Sequence, residues 1–135
     1  MKELTVEAKT ENLDEVLDFV NQQVEKYNCS PKTIMQLDVA VEELFVNIAH
    51  YAYNPDIGPA TVQVEVLEQG QSVSVTFVDG GIPYDPLAKK DPDVSLPADE
   101  REIGGLGIFM VKKSMDEIKY RYEDGKNILT IKKNL

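Results

Sequence analysis

The chain has 135 residues, of which 42% are hydrophobic and 28% are charged, and this composition is typical of one soluble globular domain. Its 14 Lys and Arg residues and 24 Asp and Glu residues give a net charge of −10, which opposes binding to nucleic acid or to an anionic membrane. The sequence contains no run of about 18 apolar residues and no apolar signal-peptide core, so we expect a cytoplasmic protein. One cysteine, Cys29, and one histidine, His50, exclude an internal disulfide and a typical zinc site.

The N-terminal part of the chain predicts a strand followed by an amphipathic helix. Apolar and polar residues alternate over 4–8, which is typical of a short strand with one buried face. Asn12 followed by Glu15 resembles a helix N-cap and its partner three residues later. Apolar residues then recur at helical spacing to about Asn28, where we expect the helix to end.

A second helix is predicted to begin at Ser30 and Pro31, which supply a capping hydroxyl and a first-turn proline, and to extend to about Tyr53. Apolar residues lie nearly all round this helix, so we expect it to be buried. Glu43 and Asn47 are four residues apart within it and share one face. A buried carboxylate needs a cation, a metal or a water-filled cavity beside it. Glu43 is therefore either half of an ion pair or part of a functional site.

Two strands follow the second helix and end at an aspartate. Apolar residues alternate with polar ones over 62–66 and 73–77 on either side of a glycine turn, which predicts an antiparallel hairpin. Counting by twos along the second strand places Asp79 at the end of its inward-facing row. Asp79 is either an ordinary turn residue of the Asp-Gly-Gly sequence or a polar group that faces the helices.

The last third of the chain contains a long loop, a helix and another hairpin. The stretch 86–103 shows no periodicity, and connections of this length are usually functional or disordered. Residues 104–107 lead into a helix predicted to end near Met115, and strands flank the Asp124–Gly125 turn. The elements predict one α+β domain over the whole chain, with a largely antiparallel sheet covered on one face by helices.

Familiar nucleotide-binding motifs are absent from the sequence. It has no G-x-x-x-x-G-K-[ST] phosphate loop and no G-x-G-x-x-G spacing after a strand, and it lacks the signatures of eukaryotic-type protein kinases. Gly104-Gly105-Leu106-Gly107 is either a plain flexible loop or a phosphate site. Its position before a predicted helix favours anion binding by backbone N–H groups.

Three motifs together resemble the Bergerat-fold (GHKL) ATP-binding domain of gyrase, the Hsp90 chaperone, histidine kinases and MutL. They are Glu43 with Asn47 on one helix, Asp79 with Gly81 at a strand end, and the glycine-rich segment after the long loop. Within that superfamily, residues 31–115 most resemble the small bacterial anti-sigma factors that are serine/threonine kinases. The resemblance implies a two-layer α/β sandwich with a mostly antiparallel mixed sheet, and it implies ATP and Mg²⁺ as cofactors.

The resemblance implies a role for each motif. Glu43 corresponds to the general base, and Asn47 corresponds to the residue whose carboxamide oxygen holds Mg²⁺. Asp79 corresponds to the acceptor of the adenine amine, and Gly81 to a glycine that lets the backbone approach closely. The residues that correspond to phosphate-binding backbone amides are Gly105, Leu106 and Gly107. The stretch 86–103 corresponds to the ATP lid.

The sequence departs from the family pattern after Asn47. The small anti-sigma kinases usually carry His-Ala-Tyr four residues after the asparagine, whereas this chain has Tyr51-Ala52-Tyr53 and places His50 one residue earlier. No family histidine role is therefore assigned to His50. Tyr84 stands where the family commonly has phenylalanine.

The resemblance implies a kinase that transfers the γ-phosphate of ATP to a Ser or Thr of an anti-anti-sigma (STAS) protein and regulates transcription by partner switching. It also implies a sigma factor as the competing partner and a homodimer as the working form. The alternative is a non-catalytic regulatory module that responds to ATP and binds a protein partner without phosphorylating it. The presence of Glu43 favours the kinase, because a pure binding module needs no base.

Overall fold

The computed structural model describes residues 1–67, 70–88 and 106–135. Over these ranges the helices and strands are, in order, β1 (Lys2–Glu7), α1 (Leu13–Val24), α2 (Pro31–Tyr51), β2 (Pro59–Leu67), β3 (Ser72–Asp79), α3 (Leu106–Ser114), β4 (Glu117–Glu123) and β5 (Lys126–Asn134). Short 3-10 turns lie at Thr10–Asn12, Glu25–Tyr27 and Pro86–Ala88. No helix in the described ranges is long and apolar enough to cross a membrane.

The strands form one sheet in the order β1-β2-β3-β5-β4, in which every neighbouring pair is antiparallel. Alternate side chains of the central strands point toward the helices, as the period of two requires. The buried members of this face are Ala60, Val62, Val64, Val73, Val75, Phe77, Leu129 and Ile131, and they form one core with buried residues of the helices. The predicted α+β fold, with a sheet covered on one face by helices, is confirmed.

The two predicted helix caps have different outcomes. Ser30 has an extended backbone, and its hydroxyl accepts a hydrogen bond from the Thr33 N–H at 3.1 Å, so this cap is confirmed. Asn12 does precede the first residue of α1, as predicted, but its side chain makes no capping hydrogen bond, because its amide donates to the carbonyl oxygen of Glu7 instead. Asn12 closes a 3-10 turn with φ −94° and ψ 3°, and this conformation lacks the extended backbone of a typical N-cap.

Helix α2 is buried on one side only. Its buried residues are Leu37, Ala40, Val41, Leu44 and Phe45, whereas Val39 is 49% exposed and Met35 is 60% exposed. The expectation that α2 is buried all round is therefore wrong. In a two-layer fold the helices have an outer surface, so an apolar residue on that side of α2 remains in contact with solvent.

Candidate functional site

A pocket lies between the C-terminal half of α2 and the ends of three strands. It contains about 460 Å³ of empty space, part of which is open to solvent. Its walls are mostly apolar, with a few polar groups, as is typical of small-molecule sites. The lining residues are Leu44, Asn47, Ile48, Tyr51, Ala52, Phe77, Asp79, Ile82, Tyr84, Pro86, Tyr120, Asn127 and Leu129. The pocket thus brings together Asn47 and Asp79, two of the residues singled out in the sequence.

Asp79 is the last residue of β3, and it is only 6% exposed. Its Oδ1 accepts hydrogen bonds from the N–H of Gly81 at 2.9 Å and from the Nδ2 of Asn127 at 3.0 Å. The other carboxylate oxygen, Oδ2, has no hydrogen-bond partner among the described residues. Since Asp79 lines the pocket, Oδ2 is available to a donor on a ligand.

Asn127, the second residue of β5, is a site residue that the sequence reasoning missed. It pairs with Asp79 across the antiparallel ladder between β3 and β5 and is also 6% exposed. The signal that indicates it is the same parity that indicated Asp79. Counting back by twos from Ile131 and Leu129 reaches Asn127 at the inward-facing end of the strand.

Glu43 and Asn47 lie one helical turn apart on α2, as predicted. The Nδ2 of Asn47 points toward the Oε1 of Glu43, with 3.5 Å between the two atoms, which is a weak contact. The carboxamide oxygen of Asn47 accepts no hydrogen bond within the described residues, so it is available to a ligand. The described residues contain no ion pair that involves Glu43, so the alternative of a structural ion pair gains no support there.

Gly107, in the first turn of α3, lies directly against the carboxylate of Glu43. A Cβ atom at Gly107 would overlap the carboxyl group, so glycine lets the start of α3 approach α2 this closely. Leu106 is the first residue of α3. Gly105 lies outside the described residues, and so does the predicted ATP lid 86–103 except for 86–88.

Gly81 lets the chain after β3 pass close to the end of α2. A Cβ atom at Gly81 would overlap the backbone carbonyl of Ala52, and the next residue, Ile82, donates its N–H to the Ala52 carbonyl oxygen at 2.9 Å. Packing alone therefore requires glycine at this position, whether or not a ligand binds. The contact fixes the loop that carries Asp79's hydrogen-bond donor.

The side chain of Tyr53 connects α2, β2 and the end of β3 behind Asp79. Its hydroxyl donates to the carbonyl oxygen of Pro59 at 2.6 Å and accepts from the N–H of Gly80 at 2.7 Å. Burial raises the pKa of this hydroxyl above the ordinary tyrosine value, the Asp79 carboxylate raises it further, and the Gly80 hydrogen bond opposes both effects. Tyr53 stays neutral at physiological pH and holds the loop in place.

Two aromatic rings lie at the mouth of the pocket. Tyr51 is 55% exposed, and its ring centroid is 6.3 Å from that of Tyr84, with a tilt of 36°. Burial raises the pKa of the Tyr84 hydroxyl, and the nearby Tyr51 and Glu43 add to the effect. His50 is exposed and contacts Tyr51 edge-on. It does not line the pocket.

Comparison with known proteins identifies the family. A family model described as histidine kinase-like ATPase domain matches residues 6–133. The chain belongs to this family. Serine-protein kinase RsbW of Listeria monocytogenes is 31% identical over 108 residues, which cover 76% of this chain and 68% of that protein. Serine/threonine-protein kinase BtrW of Bordetella bronchiseptica is 28% identical over 95 residues, which cover 70% of this chain and 66% of that protein. RsbW of Bacillus cereus is 25% identical, and the chain covers 63% of its length.

Two solved structures share the fold of this chain. The structure of the RsbU and RsbW domains of a Mycobacterium tuberculosis protein has a TM-score of 0.64 and 14% identity, and the match covers 100% of this chain and 33% of that one. The histidine kinase domain of the blue-light activated histidine kinase from Erythrobacter litoralis has a TM-score of 0.52 and 17% identity, with 93% of this chain and 60% of that one covered. These matches support the two-layer architecture described above.

Proposed function

We propose that the chain is an ATP-dependent serine/threonine-protein kinase of the anti-sigma type. The observation that carries this proposal is that residues of two motifs line one pocket, while a residue of the third contacts Glu43. Asn47 and Asp79 line the pocket, and Gly107 brings the start of α3 against Glu43. The names of the Listeria and Bordetella relatives, which are serine or serine/threonine kinases, also support it.

Asp79 and Asn47 are the residues proposed to hold the nucleotide and its metal. The pocket-facing Oδ2 of Asp79 would accept a hydrogen bond from the exocyclic amine of adenine. The free carboxamide oxygen of Asn47 is a hard ligand of the kind that Mg²⁺ prefers, and Mg²⁺ is commonly held by one or two protein oxygens together with substrate phosphates. The donor set therefore fits the ion. When bound, Mg²⁺ neutralises charge on the phosphates.

Glu43 is the proposed base. Phosphoryl transfer requires mainly positioning and charge stabilisation. In the proposed step the hydroxyl oxygen of the acceptor forms a bond to the γ-phosphorus, the bond to ADP breaks, and the hydroxyl proton passes to the carboxylate of Glu43. The first turn of α3, with Gly107 and the proposed phosphate-binding amides of Gly105 and Leu106, would present N–H groups to the phosphates.

The proposed acceptor is a Ser or Thr on an anti-anti-sigma protein of the STAS type, with a sigma factor as the competing partner, a homodimer as the working form and the cytoplasm as the location. The experiment is a transfer assay with γ-labelled ATP, Mg²⁺ and the partner that co-purifies with the chain. Glu43→Ala is expected to abolish labelling while ATP affinity stays within about twofold, because the base touches the acceptor and not the adenine. Glu42→Ala, at an exposed neighbouring position on α2, is the matched control.

The same assay distinguishes the alternative function. Tyr51, which replaces the usual imidazole, lies exposed at the pocket mouth beside Tyr84, and this departure from the family pattern leaves a binding module as the alternative. A partner that binds in an ATP-dependent manner and carries no phosphate, with the wild-type chain and with Glu43→Ala alike, would establish the non-catalytic regulatory module and contradict the kinase.

A further inference from the structure

The side chain of Asn127 lies at the centre of a buried hydrogen-bond network. Its Nδ2 donates to the Oδ1 of Asp79 at 3.0 Å and to the carbonyl oxygen of Ile82 at 2.8 Å. Its Oδ1 accepts from the N–H of Tyr84 at 3.0 Å and from the hydroxyl of Tyr120. All four hydrogen-bonding positions of the carboxamide are therefore used.

The network fixes which way the carboxamide points. The Nδ2 end faces two groups that can only accept a hydrogen bond, the Asp79 carboxylate and the Ile82 carbonyl. The Oδ1 end faces the backbone N–H of Tyr84, which can only donate. A reversed amide would place an acceptor against two acceptors and a donor against a donor, so only one orientation satisfies its neighbours.

The fixed amide in turn fixes the carboxylate of Asp79. Two donors, the Asn127 Nδ2 and the Gly81 N–H, converge on the same oxygen, Oδ1. Rotation of the carboxylate would break both hydrogen bonds. Oδ2 is thus the oxygen left for the pocket, where the described residues give it no partner.

A buried polar side chain at position 127 reduces the stability of the fold unless its hydrogen bonds are satisfied. Asn127 continues an inward-facing row whose next members, Leu129 and Ile131, are apolar and buried. An apolar side chain would suit that row, since a buried amide is tolerated only with its hydrogen bonds satisfied. The link between β3 and β5 is also supplied elsewhere, by the hydroxyl pair of Thr76 and Thr130 at 2.9 Å on the other face of the sheet.

We propose that Asn127 is a positioning residue for nucleobase selection: it holds the Asp79 carboxylate so that Oδ2 faces the exocyclic amine of the base, and Tyr120 supports it from the opposite end of the amide. This inference rests on the proposed binding of ATP in the pocket. Asn127 acts through Asp79, so its removal affects recognition of the amine and leaves other contacts with the nucleotide in place.

The test compares two ligands that differ only in that amine, ATP and the triphosphate of purine riboside, by calorimetric titration with Mg²⁺. We expect the wild-type chain to prefer ATP by about tenfold, as for a hydrogen bond to a charged acceptor. Asn127→Ala should reduce the preference to within about twofold, chiefly by weakening ATP binding. Tyr120→Phe should reduce it partially. Thr130→Val, which removes a hydrogen bond between the same strands on the other face, should leave it unchanged.

The outcomes separate the inference from the function on which it rests. An Asn127→Ala protein that is folded by circular dichroism and keeps the tenfold preference overturns the inference, as does one that loses affinity for both ligands equally. If Asn127→Ala does not fold, an unchanged preference in Tyr120→Phe overturns the inference in the same way. A wild-type chain that binds neither triphosphate overturns the proposed function itself.

Discussion

Gly107 of α3 lies so close to the carboxylate of Glu43 on α2 that a Cβ atom at position 107 would overlap the carboxyl group. The contact joins the proposed base to the helix start that is proposed to meet the phosphates. It also gives Gly107, from the glycine-rich segment after the long loop, a role in helix packing. The carboxylate is the far end of a flexible side chain, so it has room to move if the glycine is replaced.

Gly107→Ala is expected to reduce phosphoryl transfer strongly and stability only slightly. The added methyl group displaces the carboxylate of Glu43, and rotation of that side chain relieves the overlap without moving the backbone. We expect transfer to fall by at least about 100-fold, as for a misplaced catalytic group, and the free energy of unfolding to change by less than about 1 kcal/mol. Transfer assays and urea unfolding measure the two effects.

A double variant checks the mechanism of the Gly107→Ala effect. If the methyl group acts by displacing Glu43, then adding Gly107→Ala to Glu43→Ala causes no further loss of residual transfer, because residues that act as one unit are not additive. Full additivity of the two losses would show that Gly107 acts independently of Glu43.

Gly81→Ala is expected to destabilise the protein, whereas Gly80→Ala is not. The methyl group at position 81 would overlap the backbone of Ala52, which cannot rotate away. At position 80 its nearest neighbour among the described residues would be the Tyr53 hydroxyl at 3.6 Å. We expect a loss of about 1–3 kcal/mol in the free energy of unfolding for Gly81→Ala and a change within about 0.5 kcal/mol for Gly80→Ala. Equal stabilities in denaturant titrations would contradict the close approach of the two backbones.

The sequence predicts the elements well because each depends on local signals. Alternation predicts the strands, Ser30 with Pro31 predicts the start of α2, and parity places Asp79 on the inward face of β3. The position of Asn12 before α1 follows the prediction, but its capping hydrogen bond is missing because the same residue type also suits a turn, where its amide donates to the end of β1.

The contacts within the site depend on the order of the strands in the sheet, which local sequence patterns do not predict. β3 and β5 are neighbours in the sheet although α3 and β4 separate them in the chain. Only that arrangement pairs Asp79 with Asn127. The contact between Gly107 and the Glu43 carboxylate likewise depends on how α3 packs on α2. The spacing of residues within each motif does not predict how the two helices pack.

Tyr53→Phe is expected to destabilise the protein through the loop behind Asp79. The change removes the acceptor of the Gly80 N–H and the donor to the Pro59 carbonyl. Both residues are exposed, so water can replace the lost hydroxyl, and we expect a loss of about 0.5–1.5 kcal/mol for each hydrogen bond and a lower midpoint of urea unfolding. Tyr122→Phe, whose hydroxyl makes no hydrogen bond within the described residues, is the control and should unfold at the wild-type midpoint.

Alkaline pH is expected to destabilise the fold through three tyrosines, Tyr53, Tyr84 and Tyr120. Burial raises the pKa of each above the ordinary value, so above about pH 10 the unfolded chain has lost more protons than the folded one. The contribution of these three tyrosines to the free energy of unfolding should therefore be constant below that pH. It should decrease as the pH rises through their folded-state pKa values. The chain has no tryptophan, so tyrosinate absorbance reports the titration directly.

The same titration has a result that would contradict the burial of these hydroxyls. In that result Tyr53, Tyr84 and Tyr120 would ionise at the ordinary tyrosine pKa of about 10, while circular dichroism showed the fold intact. Tyr53→Phe should remove part of the late-titrating absorbance, since the altered group is one of the three with a raised pKa.

The most direct test of the central claim is calorimetric titration of ATP and ADP, with Mg²⁺, into the wild-type chain and Asp79→Asn. Asn127 and Gly81 both donate to the Oδ1 position of residue 79, so the asparagine must keep its oxygen there and turn its NH₂ group toward the adenine amine. Two donors would then face each other. We predict that the wild-type chain binds both nucleotides and that Asp79→Asn binds them at least about tenfold more weakly. A folded wild-type chain that binds neither nucleotide, or an Asp79→Asn variant with unchanged affinity, would contradict the assignment of this pocket to adenine.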